Sequence, residues 1–190
     1  ISWKRLARIH LQQGRLETAW HALQQAEIFL PVDKELADAR LQIRLRQQKF
    51  KEAISMLKPR IDKEPGQRQN WLWLIQCYSN TDKNDLALRH FQLFERLFKL
   101  NKEERLNLAD LYYNNGFHKD AATHYQLLAD NKQLETQALL RCSRALLNSG
   151  NIDTVLKLLS SKNSKWSPAQ RESFHMIRAE ALLEKNQHIN

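Results

Sequence analysis

The sequence contains few of the residues that interrupt helices. Only four glycines and four prolines occur among its 190 residues, of which 42% are hydrophobic and 27% are charged. Collagen-like chains and low-complexity disordered chains contain far more glycine and proline, so both classes are excluded. Because glycine and proline are the least favourable residues in a helix interior, their scarcity favours a globular, helical chain.

Long hydrophobic runs are missing as well. A transmembrane helix requires about 20 consecutive apolar residues, and no stretch of the chain approaches that length. The sequence therefore predicts no membrane span. The chain begins at Ile1, inside a helical pattern and without an initiator methionine, so we expect a fragment of a longer protein.

The motifs of common enzyme and cofactor sites are also absent. The sequence contains no glycine-rich phosphate loop, no Walker lysine motif and no dinucleotide-binding fingerprint. Its seven histidines include no pair four residues apart, and no histidine and cysteine stand at zinc-binding spacing. We therefore predict a protein that is not an enzyme, with no catalytic residues, no metal site and no cofactor.

Negative charge is in short supply over most of the chain. The net charge is +9 at pH 7, and the excess of lysine and arginine lies toward both ends, whereas residues 102–135 carry more acidic than basic side chains. A positive surplus raises encounter rates with anionic partners. Binding of an acidic polymer, RNA or an anionic polysaccharide, through the basic ends is therefore one candidate function.

What the sequence does contain is an internal repeat with a period of 34 residues. Small residues recur at this step as Ala19, Ala53, Ala87, Ala121 and Val155. Large apolar residues recur at the same step as Leu23, Leu57, Phe91, Tyr125 and Leu159. A third column holds Gly14, Gln48, Asp82, Gly116 and Gly150. These columns stay in step without any insertion, so the repeat determines the architecture.

The first repeat displays the whole pattern in Trp3, Leu6, Ala7, His10, Gly14, Ala19, Leu23, Ala26 and Pro31. These positions resemble the tetratricopeptide repeat (TPR), with Ala7 in place of its glycine, His10 in place of its tyrosine and Leu23 in place of its phenylalanine. The resemblance implies an all-α, right-handed α-solenoid of antiparallel helix pairs. We expect a single array with repeats at 1–33, 34–67, 68–101, 102–135 and 136–169, followed by one further helix at 170–187.

The repeat also locates the two cysteines. Cys77 and Cys142 fall on the first helices of the third and fifth repeats. Because neighbouring helices pack about 8–10 Å apart, two repeats should separate them by about 20 Å. A disulfide requires α-carbons within about 7 Å, so we predict two free, buried thiols.

The first helix of the second repeat departs from the pattern. The strict register puts Arg40 and Arg44 at core positions, where two unpaired charges would be costly. A shift of one residue places Leu36, Ala39 and Ile43 inward instead. We therefore expect Arg40 and Arg44 to point outward as a basic ridge.

The resemblance also implies where a ligand would bind. In TPR proteins the first helices line a concave groove that takes a peptide or a helix of another protein, through the second, fifth, ninth, twelfth and thirteenth positions of each repeat. The candidate groove contacts are Lys4, Arg8, Arg46, Leu72, Gln76, Asn80, Leu106, Asp110, Asn114, Leu140, Arg144, Asn148, Phe174 and Arg178. An apolar row from Leu72 to Phe174 runs beside a polar row, which suits an amphipathic helix or an extended apolar segment. We therefore predict a protein–protein interaction scaffold.

Two finer features of this groove can be judged from the residues. Asn80, Asn114 and Asn148 could hydrogen-bond a peptide backbone, although each precedes an inter-helix turn, where asparagine is favoured locally. The carboxylate clamp of chaperone-binding TPR proteins is incomplete, because Lys4 fits it but Arg8 and Ala39 replace its asparagines. We do not expect the chain to bind chaperone tails.

The remaining expectations concern context. The glutamine- and asparagine-rich helices resemble bacterial TPR scaffolds, for which the cytoplasm and the periplasm are both open. Nucleic acid is not favoured as a partner, because the acidic stretch at 102–135 interrupts any continuous basic track. A dimerisation or regulatory module of a larger protein is a further alternative, and the oligomeric state is left open.

Overall fold

The structure is a computed structural model that describes residues 2–31, 33–130, 134–160 and 166–187. The ends of the predicted array, at residues 1 and 188–190, lie outside the described residues. Within the described ranges the chain forms helices and no strand. The helices are α1 (Trp3–Gln12), α2 (Leu16–Phe29), α3 (Lys34–Arg46), α4 (Phe50–Lys63), α5 (Arg68–Ser79), α6 (Asn84–Leu97), α7 (Lys102–Asn114), α8 (His118–Asp130), α9 (Thr136–Asn148), α10 (Ile152–Leu158) and α11 (Pro168–Gln187). The predicted all-α fold, with five helix pairs and one further helix, is confirmed.

The chain divides into two compact units, residues 1–94 and residues 95–190. In the first unit, α1 packs on α2 and also on α3, and α4 packs on α3 and on α5. In the second unit, α8 packs on α7 and on α9, while α11 packs on α9 and on α10. Within each unit these helices contact their neighbours along the chain, as in a helical repeat protein. The arrangement of the whole chain as a single array stays a prediction.

The turns inside the five helix pairs share one backbone conformation. Gly14, Gly116 and Gly150 have φ values of 72°, 80° and 79°. Gln48 and Asp82 take the same place with φ values of 57° and 55°. A residue in this left-handed conformation ends the helix, and the next residue donates its N–H to a carbonyl one turn back. The column that begins at Gly14 therefore marks the end of the first helix in each pair, and the left-handed conformation is kept where Gln48 or Asp82 replaces glycine.

The small and large columns of the repeat form the core. Each of the five small residues in the column that begins at Ala19 is fully buried, with 0% of its surface exposed. Each of the five large residues in the column that begins at Leu23 has at most 2% exposed. Small residues on the second helices allow close approach of the neighbouring helices, and the large ones fill the space between them. The two columns therefore determine how the helices pack.

The basic ridge expected on α3 is half wrong. Leu36 and Ile43 are buried, as the shifted register requires, but Arg44 is buried as well, with 8% of its surface exposed. The Arg44 Nε lies 2.8 Å from Glu52 Oε2 on α4, and its guanidinium stacks on the Trp20 ring of α2. Its buried charge is therefore compensated. Arg40 remains exposed, as expected.

The register of α11 also departs from the strict repeat. This helix buries Phe174, Ile177 and Ala181. They have the same spacing as the buried Trp71, Leu74 and Tyr78 of α5, but each lies one residue later than three 34-residue steps would place it. The additional residue falls between Leu159 and Phe174 along the chain. One residue turns a helix by about 100°, because 3.6 residues complete a turn. Positions on α11 counted at 34-residue steps are consequently rotated away from their expected face.

Both cysteines are free and buried, as predicted. Burial raises the pKa of the Cys77 thiol to about 11, so this thiol stays protonated and unreactive at neutral pH. In the ranges that the structure covers, no helix combines the length and the apolar character needed to cross a bilayer.

Candidate functional site

The first unit contains an open cavity between α3, α4 and α5. Its volume is about 420 Å³, which lies in the usual range of ligand pockets, about 300–1,000 Å³. The side chains that line it are Lys34, Ala37, Asp38, Gln42, Arg60, Lys63, Glu64, Gln67, Gln69, Asn70 and Trp73. We refer to it as the α3–α4–α5 cavity.

The first turn of α3 is held in place by its N-cap, Asp33. One carboxylate oxygen accepts a hydrogen bond from the Leu36 backbone N–H at 3.1 Å, and the other accepts one from Lys4 Nζ at 2.7 Å. The hydrogen bond from Lys4 holds the pKa of Asp33 below its ordinary value of 3.8. The same contact raises the pKa of Lys4. The start of α3, which carries Lys34 into the cavity, is therefore anchored to α1.

The first turn of α5 is fixed by a different contact. The indole N–H of Trp71 donates to the carbonyl of Pro65 at 2.9 Å, which ties the connection between α4 and α5 to the helix. Trp71 itself is buried, whereas Trp73 is half-buried and lines the cavity. Two residues correspond to a rotation of about 200° on a helix, so one tryptophan packs in the core and the other is presented to the cavity.

Most of the charges around the cavity are already compensated. The Arg60 guanidinium lies 2.7 Å from the Asp38 carboxylate and joins α4 to α3. The Lys34 ammonium lies 4.0 Å from Glu64, a looser contact. Lys63 has no ion-pair partner among the described residues. The cavity therefore has little net charge to offer a ligand.

The neutral polar groups of the cavity, by contrast, are available. The side-chain amides of Gln42, Gln67, Gln69 and Asn70 line it, and none of the four has a hydrogen-bond partner within the part of the chain that the structure describes. The same holds for the indole N–H of Trp73. Each side-chain amide offers donors and an acceptor, so the wall can exchange several hydrogen bonds with a ligand.

Two lining residues, Asp38 and Gln42, occupy the fifth and ninth groove positions of the second repeat, but none of the fourteen candidate contacts chosen from the sequence lines this cavity. Several of those in the first unit already have intramolecular partners. Lys4 pairs with Asp33, Arg46 Nη1 donates to the Leu11 carbonyl at the end of α1 at 3.1 Å, and Asn80 donates to the Gln76 carbonyl of its own helix at 2.8 Å. Arg8 and the Gln76 side chain are exposed, and Leu72 is half-buried. Their binding role stays a prediction.

The polar candidates of the second unit are mostly engaged in internal contacts. Asp110 accepts a hydrogen bond from the buried Tyr125 hydroxyl, and its carboxylate lies 3.0 Å from Arg141 Nε. Arg144 pairs with Glu180 of α11. Asn148 lies 3.4 Å from a ring nitrogen of His118, while Asn114 is exposed. Burial, followed by the hydrogen bond to Asp110, raises the pKa of Tyr125 far above its ordinary value.

The apolar row expected along the groove is wrong in the second unit. Leu140 and Phe174 have only 8% and 2% of their surface exposed, because both belong to the core cluster that α9 and α11 share. Leu106 is half-buried and packs against that cluster. Arg178 is half-buried, since the extra residue before α11 rotates it out of the expected position. An exposed apolar strip from Leu72 to Phe174 is therefore absent from the described residues.

Sequence reasoning missed the residues that come from α4 and from the connection after it. The positions carried over from TPR proteins lie on first helices only, so Arg60, Lys63 and Gln67 were never considered. Trp73 was overlooked because Trp71 occupies the aromatic position of the repeat. A half-exposed tryptophan two residues from a buried one is a signal that could have identified it.

Comparisons with known proteins come from both sequence and structure. No protein-family model matches the chain. Over 124 residues, or 65% of its length, the chain is 25% identical to the BBSome complex member BBS4 of Bos taurus, of which it spans only 24%. The structure resembles MamA with a TM-score of 0.67 and 16% identity, covering 83% of this chain and 86% of MamA. It resembles YrrB, described as a TPR protein with an unusual peptide-binding site, with a TM-score of 0.65 and 15% identity, covering 97% of this chain and 90% of YrrB.

These similarities establish the fold. The chain has the TPR fold, as its sequence repeat predicted. A bacterial origin stays a prediction.

Proposed function

We propose that this chain is an interaction scaffold that binds a peptide segment of a protein partner in the α3–α4–α5 cavity. The observation that carries the proposal is the set of free side-chain amides around Trp73 in a cavity of about 420 Å³. Ligand sites are typically concave and combine an aromatic wall with a few convergent polar groups. The fold of TPR proteins and the description of YrrB as a peptide-binding member are consistent with this role.

The role we propose is not enzymatic. Within the described residues no group of three or more metal-ligating side chains lies together. The hydrogen bonds from Tyr125 to Asp110 and from Arg144 to Glu180 lie in the second unit and hold helices together. Specificity for a partner is therefore the property that we expect the cavity to supply.

The proposal moves the binding site away from the second unit. Leu106 packs against the core of that unit, and Arg144 is paired with Glu180. Substituting either residue would disturb stability before it disturbed a ligand. The exposed surfaces of Arg8 and Gln76 remain available to extend a ligand beyond the cavity.

Binding of an acidic polymer is less well supported. Several cations of the described chain have carboxylate partners, among them Lys4, Arg40, Arg44, Arg60, Arg141, Arg144 and Lys185. Unpaired cations bind an anionic polymer by displacing the counterions condensed on it. A dimerisation or regulatory role has no specific observation in its favour.

The test is a selection followed by titration. The purified chain would select binders from a displayed library of random peptides of about ten residues, which span about 33 Å when extended. Synthetic versions of the selected peptides would then be titrated by calorimetry into the parent protein and into Trp73→Ala, Gln42→Ala and Asn70→Ala. We expect Trp73→Ala to weaken the affinity for the peptide about tenfold, because aromatic anchors dominate binding.

The control variants replace a tryptophan and a glutamine that lie outside the cavity. Trp3 and Gln12 are exposed and lie outside the cavity, so Trp3→Ala and Gln12→Ala should bind like the parent protein. If the three cavity variants, with their helical circular dichroism intact, bind as tightly as the controls, the assignment of the site is wrong. A library that yields no binder rejects the proposed function itself.

A further inference from the structure

We infer that His124 of α8 is an acid-sensitive switch in the second unit: the neutral ring accepts a hydrogen bond from Arg105 of α7, and the protonated ring exchanges that partner for Glu95 of α6. The switch is independent of the proposed peptide site, which lies in the first unit. Three ionisable side chains act on His124, namely Glu95, Arg105 and Asp120 of its own helix. Within the described ranges, no ionisable side chain of α9, which also packs on α8, acts on it.

The imidazole of His124 is held in one orientation. Only 13% of its side chain is exposed. Its ring stacks on the Tyr112 ring of α7, with the centroids 5.4 Å apart and an angle of 16° between the planes. Offset stacking of aromatic rings is a favourable geometry that restrains the plane of each ring. His124 Nδ1 is therefore kept between the end of the Arg105 side chain and the Glu95 carboxylate.

The contact with Arg105 fixes where the proton of the neutral ring lies. Arg105 Nη1 is 3.4 Å from His124 Nδ1, a long hydrogen bond. A guanidinium has N–H donors and no acceptor, so Nδ1 must accept and the ring proton must be on Nε2. In the imidazolium both ring nitrogens are donors. The hydrogen bond that joins α8 to α7 therefore exists only while His124 is uncharged.

Glu95 is placed to receive the protonated ring. Its Oε1 lies 3.9 Å from the same His124 Nδ1, and 34% of its side chain is exposed. The neutral ring cannot donate to this carboxylate, because its Nδ1 carries no proton. Once Nδ1 is protonated, it repels Arg105 and attracts Glu95, and a movement of about 1 Å closes the gap to a charge-assisted hydrogen bond of about 2.8 Å. The hydrogen bond from α8 then runs to α6 instead of α7.

Protonation of His124 lowers the stability of the folded chain. Burial is the main reason that the pKa of His124 lies below its ordinary value of 6.5, and Arg105 adds to the effect, while Glu95 and Asp120 oppose it. The histidine of the unfolded chain takes up its proton first, at about pH 6.5. Stability is therefore complete above that pH and falls as the pH falls toward the folded pKa. The switch thus acts in mild acid, where histidine is the side chain that ordinarily titrates.

Nuclear magnetic resonance titration of the histidines tests the exchange of partners. Proton–nitrogen spectra of the full 190-residue chain distinguish the two tautomers and give the titration midpoint of each ring. We expect the Nε2–H tautomer of His124 at pH 8 and a midpoint below that of the urea-unfolded chain. Arg105→Gln should raise the midpoint, because it removes a repelling cation, and Glu95→Gln should lower it, because it removes an attracting carboxylate. The exposed His21 of α2 is the internal control and should titrate alike in all three proteins.

The effect on stability is measured by thermal unfolding between pH 8 and pH 5. The variant His124→Gln carries a side-chain amide that takes up no proton in this interval. The parent protein should therefore lose more of its melting temperature between pH 8 and pH 5 than this variant does. The control variant His21→Gln changes an exposed site and should lose as much as the parent protein.

Opposite shifts of the His124 midpoint in the Arg105→Gln and Glu95→Gln variants, together with the Nε2–H tautomer, would support the switch. Three results would overturn it: the Nδ1–H tautomer at pH 8, a midpoint that neither variant moves, or a midpoint that both variants move in the same direction. The same pH dependence of melting temperature in the parent protein and in His124→Gln would also overturn it.

Discussion

The guanidinium carbon of Arg44 lies 3.4 Å from the centroid of the Trp20 ring, so the first helix of the second repeat is joined to the second helix of the first repeat by a cation on an aromatic face. The same guanidinium pairs with Glu52 at 2.8 Å and donates to Gln47 at 2.8 Å. A stacked cation is worth about 0.5–2 kcal/mol, and its hydrogen bonds to a charged partner contribute a similar amount. Arg44 is thus a structural residue and not part of a basic ridge.

Replacing Arg44 should therefore reduce stability. We expect Arg44→Ala to lower the free energy of unfolding by about 2–3 kcal/mol, since it removes the stacking, the ion pair and the packing of the side-chain stem. Arg40→Ala is the matched control, because Arg40 lies farther from Trp20, at 5.2 Å, and is exposed; it should cost less than about 1 kcal/mol. Urea unfolding monitored by circular dichroism measures both. Equal losses for the two variants would contradict the account.

Substitutions at two of the turns should change the free energy of unfolding in opposite directions. Gln48 holds a left-handed conformation, at φ 57°, that costs a non-glycine residue about 1–2 kcal/mol. Gln48→Gly should stabilise the protein by about 0.5–1 kcal/mol, after the greater freedom of glycine in the unfolded chain is subtracted. Gly116→Ala should destabilise it by about 1 kcal/mol. Nothing lies within 4 Å of a side-chain carbon added at Gly116, so the cost arises from the backbone alone. Thermal and urea unfolding would show whether the signs differ.

Asp33 predicts a specific dependence of stability on pH. Its folded pKa lies below the ordinary value of 3.8 because Lys4 donates a hydrogen bond to it. Its contribution is therefore present at neutral pH and is lost as the pH falls through the lowered folded pKa. Asp33→Asn keeps a good N-cap for Leu36 but removes the attraction to Lys4. We expect the variant to be less stable than the parent at pH 7, and the difference between the two melting temperatures to disappear in acid. A difference that is the same at pH 7 and at pH 2 would exclude this contribution.

Tyr125 predicts a loss of stability without a loss of binding. Its hydroxyl is buried and donates to Asp110 in the second unit. Because hydrogen bonds to charged groups contribute about 1.5–3 kcal/mol, Tyr125→Phe should destabilise the protein by that amount. Tyr113→Phe is the control, since the structure gives the Tyr113 hydroxyl no hydrogen bond within the described residues. Both variants should bind a selected peptide like the parent protein. Weaker binding by Tyr125→Phe at a temperature where it is folded would place the site in the second unit.

The sequence predicted the parts of the fold that depend on size and periodicity. The columns that begin at Ala19 and Leu23 are buried at every repeat, because the spacing of helices in a packed array leaves no alternative for these positions. The turn at Gln48 shows why a residue-type pattern can fail where the backbone pattern holds, since context imposes the left-handed conformation on a residue that does not favour it. The register of α11 could not be read from the columns, because a single additional residue rotates the helix and leaves no signature before Phe174.

The site was harder to predict than the fold, for a physical reason. Whether a polar side chain is free for a ligand depends on its neighbours in space, and the sequence does not list them. The sequence suggests Arg144 as a ligand contact, but in the structure Arg144 pairs with Glu180. Asn80 was suggested in the same way, but its side-chain N–H donates to a carbonyl of its own helix. Gln69 and Asn70 have no feature that distinguishes them in the sequence from other exposed amides. What distinguishes Gln69 and Asn70 is that they line the same cavity as Trp73 and Gln42.

The central claim is that a peptide occupies the α3–α4–α5 cavity, and the indole N–H signals of the protein test it directly. The chain contains five tryptophans, and each contributes one indole signal to a proton–nitrogen correlation spectrum, which single Trp→Phe variants would assign. On titration with a selected peptide, the Trp73 signal should shift and saturate with the same Kd as the calorimetric titration. The signals of Trp20 in the first unit and of Trp166 in the second should stay in place. A saturating shift at Trp166 with none at Trp73 would contradict the account, because the ligand would then occupy the second unit.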